Sequence, residues 1–226
     1  MIKIEETEVN GFKAAIRGMR NPMNSWDKSD SRYSCLCMDD KRDCPAEPYI
    51  VGPNDLALMK KLSKAGTDHS KFLRFITVTA DITAPLYWWK EYDTYKVGTV
   101  ANSCSTMHRI HAKEFTLEDF SCEHLINEPF LFTDEYVETY LDYMTDTIKA
   151  LNCARRMFLE TKDKKYWWQL IQLLPSSYNQ KRTVLLNYQV LKTMYHARKN
   201  HKLDCWIEFC EWIETLPYFK EVCIDA

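Results

Sequence analysis

Two polar residues in the last third of the chain have types and spacing suited to holding a small ligand. Asn187 and Arg198 stand at either end of "NYQVLKTMYHAR", which favours a helix opened by the asparagine. Arg198 lies eleven positions after Asn187, which is about three turns at ~3.6 residues per turn, so we predict that both side chains fall on one helix face. The pair is therefore a candidate binding site, although an arginine near a helix end can also hydrogen bond the last carbonyls.

A second candidate lies in "PLYWWKEYDTYKVGTVANS", residues 85–103. Its aromatic rings could stack on a planar ligand, but aromatic residues at helical spacing are more often core, and we predict that Trp88 and Trp89 are buried. Lys90 and Glu91 fit equally well a ligand contact or a solvated helix face. The stretch therefore predicts a helix whose side chains either contact a ligand or serve only as core and solvated surface.

Common catalytic signatures are absent from the sequence. There is no GxGxxG, GxxxxGK[ST], GxSxG or HExxH pattern, and the five glycines leave little for a phosphate loop. The cysteines of "SCLCMDDKRDC" (Cys35, Cys37 and Cys44) have C-x-C spacing with no second knuckle. "CSTMHRIH" offers Cys104, His108 and His111 but no obvious fourth ligand. We predict no metal site, and no dinucleotide-binding oxidoreductase, P-loop nucleotidase, serine hydrolase or zincin.

The composition describes a globular chain with no general attraction to polyanions. It has 226 residues, 46% hydrophobic, with a formal net charge of −2. This balance predicts no nucleic acid partner and no membrane association. No apolar run is long enough to span a bilayer, and the start lacks a signal-peptide core. We therefore expect a cytoplasmic protein whose nine cysteines are reduced thiols.

The elements predicted in the first half are mainly strands. "IKIEETE" and "FLRFITVTADI" have strand character. Residues 19–53 are rich in turn formers and predict an irregular insertion. A short helix capped by Asn54 should follow and end at Gly66, and another should begin at Pro85.

The second half predicts mainly helices. The clearest should be capped by Thr133 or Asp134, with an apolar stripe formed by Tyr136, Tyr140, Tyr143, Met144, Ile148 and Leu151. "KKYWWQLIQLL" should be a helix ended by Pro175, and "RTVLLN" a short strand before two final helices. The order of elements predicts one α+β domain over residues 1–226, with helices packed against an antiparallel sheet.

The C-terminal third resembles the flavin-dependent thymidylate synthases, also called thymidylate synthase complementing proteins. That family has a Leu-Pro and a tyrosine, then an extended run into an Asn-led helix, an arginine and an aromatic helix. Here these positions are Leu174, Pro175, Tyr178, Asn187 and Arg198. The resemblance extends from about residue 54 onward.

The family's hallmark, R-H-R-x-x-S-x-N-E-x-S-x-R-Y, falls on residues 90–103, but most of its residues are replaced. Trp88 matches a tryptophan that precedes the hallmark, and Lys90 keeps only the charge of the first arginine. The replacements are Glu91 for His, Tyr92 for the second Arg, Tyr95 for Ser, Val97 for Asn, Gly98 for Glu, Val100 for Ser and Asn102 for the later Arg.

The resemblance implies a reaction and a set of ligand contacts. The reaction is reductive methylation of dUMP to dTMP with FAD, NADPH and methylenetetrahydrofolate, in a homotetramer. The residues implied for FAD are Lys90, Glu91, Tyr92, Asn187 and His69; those implied for the nucleotide are Asn102, Ser103 and Arg198, with Arg198 also the implied catalytic residue. Because the hallmark is altered, three hypotheses remain: a variant synthase, a relative that binds flavin or a pyrimidine nucleotide without this activity, and a non-catalytic interaction protein.

Overall fold

The computed structural model describes residues 1–34, 49–132 and 137–225. The predicted metal-free cysteine cluster at Cys35, Cys37 and Cys44 lies outside these residues, as do the proposed helix caps Thr133 and Asp134. Within the described part of the chain, no helix combines the length and apolar composition needed to span a bilayer.

Within the described ranges, eight strands form one larger sheet and two small ones. The four-stranded sheet has the order β1 (Lys3–Asn10), β4 (Thr77–Pro85), β8 (Asn179–Asn187) and β5 (Val100–Ser103). Two antiparallel pairs join β2 (Arg32–Tyr33) to β3 (Tyr49–Ile50), and β6 (Pro129–Phe132) to β7 (Val137–Thr139). The expected combination of helices with antiparallel sheet is confirmed.

Seven α-helices lie within the described residues. They are α1 (Phe12–Arg20), α2 (Pro53–Lys64), α3 (Leu86–Tyr92), α4 (Tyr140–Thr161), α5 (Lys164–Leu173), α6 (Tyr188–Arg198) and α7 (Asp204–Glu214). As predicted, α3 follows Pro85 directly, α5 ends before Pro175 and α6 begins after Asn187.

The chain forms two compact units, each with its own apolar cluster. The first contains residues 1–3, 81–94 and 102–183, and its core includes Phe115, Leu151 and Leu170. The second contains residues 4–80, 95–101 and 184–226, and Leu191 and Phe209 are fully buried there. A single functional domain over the whole chain stays a prediction.

The predicted N-cap of α2 was wrong, because the first N–H groups of this helix are satisfied by a side chain from another segment. Gly52, not Asn54, is the N-cap residue, and Pro53 opens the helix. The backbone N–H groups of Asn54 and Asp55 donate to the carboxylate of Asp30 at 2.8 and 3.1 Å. A cap supplied from another segment leaves no local pattern in the sequence.

The predicted start of the longest helix was also wrong. Residues 137–139 form strand β7, and α4 begins only at Tyr140. Thr139 and Asp142 form a capping box, in which the Asp142 N–H donates to the Thr139 hydroxyl at 3.1 Å. Of the predicted apolar stripe, Met144 and Leu151 are buried, but Tyr143 is 62% exposed.

The segment around residues 19–53 is only partly irregular. Its described parts contain the end of α1, two 3₁₀ turns and the β2–β3 pair. Strand β8, expected at 182–187, begins three residues earlier at Asn179.

Candidate functional site

Helix α6 places the two retained polar residues at its ends, both in the second unit. Asn187 is its N-cap residue, and its side-chain oxygen accepts a hydrogen bond from the Val190 N–H at 3.0 Å. The Tyr188 N–H donates to the carbonyl of Ile76 at 3.0 Å, which fixes the start of the helix. Arg198 is the last residue of α6. The predicted helix and its Asn cap are confirmed.

Arg198 packs against two aromatic rings that also contact each other, with their centroids 6.2 Å apart. Its Nε donates to the Tyr95 hydroxyl at 2.9 Å. The guanidinium carbon lies 4.7 Å from the ring centroid of Trp206 and 5.6 Å from that of Tyr95. These rings hold the guanidinium plane in one orientation while its positive charge remains at a half-buried position.

Asn187 meets a glycine of the same replaced stretch. A Cβ built on Gly98 would lie 2.7 Å from the Asn187 side-chain nitrogen, so any side chain there would have to displace the Asn187 amide. Gly98 also has φ +85°, a conformation that glycine adopts at little cost.

Asn187 and Arg198, which match the family pattern, therefore contact two residues of the altered hallmark. Tyr95 contacts Arg198, and Gly98 contacts Asn187, so both ends of α6 face the stretch of residues 95–98. Residues 95–98 of the altered hallmark and helix α6 are therefore packed against each other. Arg198 and Asn187 each have a partner within the chain before any ligand binds.

In the first unit, α3 contributes a buried aromatic cluster. Trp88 and Trp89 have no exposed surface and Tyr92 is 2% exposed, with ring centroids of the three pairs between 4.8 and 5.2 Å apart. The prediction that both tryptophans are core is confirmed. Burial raises the pKa of Tyr92 far above its usual range. A ring in this position can reach a ligand only if the cluster opens.

Arg182 covers this cluster from outside. Its guanidinium carbon lies 4.2 Å from the Trp89 ring centroid, and its NH1 group pairs with Asp93 at 2.8 Å. Trp89 in turn donates from Nε1 to the Gln180 carbonyl at 2.9 Å. These contacts attach the end of α3 to β8, and in the last turn of α3 Lys90 is exposed while Trp89 and Tyr92 are buried.

The remaining predicted site residues lie at the surface of their own units. Lys90 is exposed and Glu91 is half-buried in the last turn of α3. Asn102 and Ser103 are exposed on β5, and His69 is exposed in the turn after α2. Adjacent Lys90 and Glu91 carry opposite charges, so this turn has no net charge of its own.

The second possible metal set can be described. Cys104 and His108 are exposed. Across the parts of the chain that the structure describes, no three His, Cys, Asp or Glu side chains form a group suited to a metal ion.

With this geometry established, known structures show the class of fold. A flavin-dependent thymidylate synthase from Helicobacter pylori, complexed with FAD and dUMP, has 15% sequence identity and a TM-score of 0.66, covering 99% of this chain and 98% of that chain. The UMP/dUMP methylase PolB from Streptomyces cacaoi, bound with 5-Br dUMP, has 14% identity and a TM-score of 0.56, covering 95% and 89%. Neither the protein-family models nor the curated proteins gave a match.

The chain thus has the α+β fold of the flavin-dependent thymidylate synthases over nearly its whole length. The resemblance seen in the sequence is confirmed at the level of the fold. Sequence reasoning did not identify Trp206 as a partner of Arg198, and it treated Tyr95 only as a lost serine. The only sequence signal was that positions 95 and 206 are both aromatic. The fold brings both rings to the guanidinium of Arg198.

Proposed function

We propose that this protein binds a pyrimidine nucleotide and that its reductive methylation of dUMP is weak or altered. The observation that carries the proposal is the position of Arg198, oriented by Tyr95 and Trp206 at the end of α6. A guanidinium presents several N–H donors in one plane, which suits the carbonyl edge of uracil or a phosphate. Both compared proteins were solved with uracil nucleotides or analogues, which supports this ligand class.

The positions implied for FAD fit that cofactor poorly. Glu91 brings negative charge where the family has a histidine, which disfavours a nearby diphosphate. Tyr92 is buried, and the side-chain oxygen of Asn187 already caps α6. Lys90 alone keeps an arginine's charge at the hallmark, without its bidentate geometry. We therefore expect weak FAD binding, and we assign no reaction step to the cofactor.

Calorimetric titration with dUMP tests the binding proposal. Arg198→Ala should weaken binding by roughly 1.5–3 kcal/mol, about ten- to a hundredfold, if it removes one charged hydrogen bond. Lys202→Ala is a matched control, because it removes an exposed positive charge close in sequence. Tyr95→Phe keeps the ring and removes the hydroxyl, so it should have a smaller effect than Arg198→Ala. An unchanged dUMP titration for Arg198→Ala would remove this residue from the site.

The activity is tested separately from binding. Tritium release from labelled dUMP, with FAD, NADPH and methylenetetrahydrofolate added, should be slow, and a thymidine-requiring strain should be complemented poorly. The purified protein should also lack a strong flavin spectrum. Robust turnover in both assays would establish a working variant synthase and reject the weakened activity.

Two further properties belong to the same proposal. The homotetramer follows from the resemblance, and the cytoplasmic location from the sequence pattern. We also retain Asn102 and Ser103 as predicted nucleotide contacts, testable by alanine substitution in the dUMP titration. Lys90 and His69 stay predicted FAD contacts, testable by alanine substitution in a titration with FAD.

A further inference from the structure

A cavity in the second unit lies away from the residues of α6 discussed above. Its volume is about 770 Å³, and it is bordered by the first turns of α1, the β2–β3 pair and the turn at Tyr218. Cavities of roughly 300–1,000 Å³ are typical of small-molecule sites. Neither Asn187 nor Arg198 lines it, so the proposed function does not account for it.

Tyrosine rings form much of its wall. Tyr33 and Tyr49 pack edge to face with centroids 5.0 Å apart. Tyr218 packs on the buried ring of Phe12 at 5.5 Å, and its hydroxyl accepts a hydrogen bond from the Val51 N–H at 3.2 Å. The rings are thus fixed by contacts within the unit, while Tyr33, Tyr49 and Tyr218 all line the cavity. Rings fixed in this way offer stacking surface at little entropic cost.

The charges around the cavity favour an anion. Lys13 and Arg17 contribute positive charge and Glu221 negative charge, so cationic side chains are in excess. The Lys13 ammonium lies over the Tyr33 ring, 5.2 Å from its centroid, so positive charge and an aromatic ring occur at one place in the cavity. The first turn of the nine-residue helix α1 lines the same cavity and has no side-chain cap, and N–H groups at a helix start favour an anion as well.

We propose that this cavity binds a mononucleotide, with the base against the tyrosines and the phosphate near Lys13 and Arg17. Base stacking on aromatic side chains tolerates any base, because each base has a π face. The cations and the helix start would recognise the phosphate. This site is separate from the one proposed around Arg198 and does not depend on it.

Calorimetric titration with AMP tests this site, with inorganic phosphate as a second probe. Wild-type protein should bind one AMP per chain, and phosphate alone should bind at least tenfold more weakly. The double variant Lys13→Ala/Arg17→Ala should weaken AMP binding at least tenfold. Lys61→Ala/Lys64→Ala, which removes two exposed charges from α2, should bind AMP as the wild type does.

Ring variants separate stacking from charge. Tyr33→Ala should weaken AMP binding about tenfold, whereas Tyr33→Phe, which keeps the ring, should stay within twofold of wild type. Arg198→Ala should leave AMP binding unchanged while it weakens dUMP binding. The two proposed sites can therefore be rejected independently. Absence of saturable AMP binding, equal affinity for phosphate alone, wild-type affinity in Lys13→Ala/Arg17→Ala, or loss of AMP binding in Arg198→Ala would each overturn the proposal.

Discussion

Asp55 is a fully buried carboxylate whose interactions can be traced atom by atom. Arg20, itself 4% exposed, donates from Nε to it at 2.6 Å. The hydroxyls of Ser29 and Ser31 donate to its other oxygen at 2.7 and 2.6 Å. This network joins α1, α2 and the segment before β2 through one charged group.

The network makes stability depend on pH in a defined direction. Burial alone would raise the pKa of Asp55, but the hydrogen bonds from Ser31, Ser29 and Arg20 and the charge of Arg20 hold it below its ordinary value of 3.8. A lowered pKa in the folded state gives stability that is present above the unfolded pKa and is lost as pH falls through the folded value. This contribution should therefore decline progressively as the pH falls below about 4.

Asp55→Asn should cost about 3 kcal/mol at neutral pH, because it leaves the Arg20 charge buried without its partner. Urea denaturation of wild type and variant at several pH values measures this difference, which should narrow as the wild-type carboxylate becomes protonated. Asp27→Asn, at an exposed site nearby, should stay within about 0.5 kcal/mol of wild type. A difference that stays constant down to pH 2 would contradict the assignment.

At the residue scale, the sequence predicted the site only in part. The helix that Asn187 caps and Arg198 ends was predicted correctly, as was the burial of Trp88 and Trp89. That Asn187 and Arg198 share one helix face stays a prediction. The contact of Tyr95 with Arg198 depends on residues about a hundred positions apart meeting in the fold. No local pattern encodes such a contact.

At the scale of elements, types were predicted better than ends. Strand β1 appears where the period of two predicted it, helix α3 follows Pro85, and helix α6 follows Asn187. Helix α4 starts later than predicted because residues 137–139 pair with β6, which competes with the helical pattern. A tertiary interaction decides this boundary, and the sequence before Tyr140 favoured helix.

The capping box of α4 can be tested by one substitution. Thr139→Ala removes the hydroxyl that accepts from the Asp142 N–H and should cost about 1 kcal/mol. Thr145→Ala on the same helix removes an exposed hydroxyl bonded only to the carbonyl four residues earlier, among the contacts described. Thermal denaturation should show a lower melting temperature for Thr139→Ala and little change for Thr145→Ala. Equal effects would mean that Thr139 does not cap α4.

At the scale of the whole molecule, exposed aromatic residues favour self-association. The Phe130 ring contacts the rings of both Tyr140 and Tyr143. Phe130, Tyr140 and Tyr143 are nevertheless 42, 45 and 62% exposed. Large aromatic residues are enriched in protein interfaces. This cluster therefore supports the homotetramer expected from the resemblance.

Light scattering should give a mass about four times the 26.8 kDa of the chain. Tyr143→Asp should weaken assembly, because it places a charge in the exposed aromatic cluster. Thr161→Asp, at the far end of the same helix, should leave the mass unchanged. A monomer at working concentration in the wild type would reject the tetramer.

The contact between Gly98 and Asn187 limits how this sequence can evolve. The family pattern has a glutamate at the position of Gly98, but a Cβ there would meet the Asn187 side-chain nitrogen at 2.7 Å, at a backbone φ of +85°. Asn187 can move away only by giving up its bond to the Val190 N–H. A single Gly98→Glu mutation should therefore destabilise the start of α6 before it can restore any chemistry. A glutamate at position 98 would therefore require a simultaneous change at the cap of α6, so the two positions are structurally coupled.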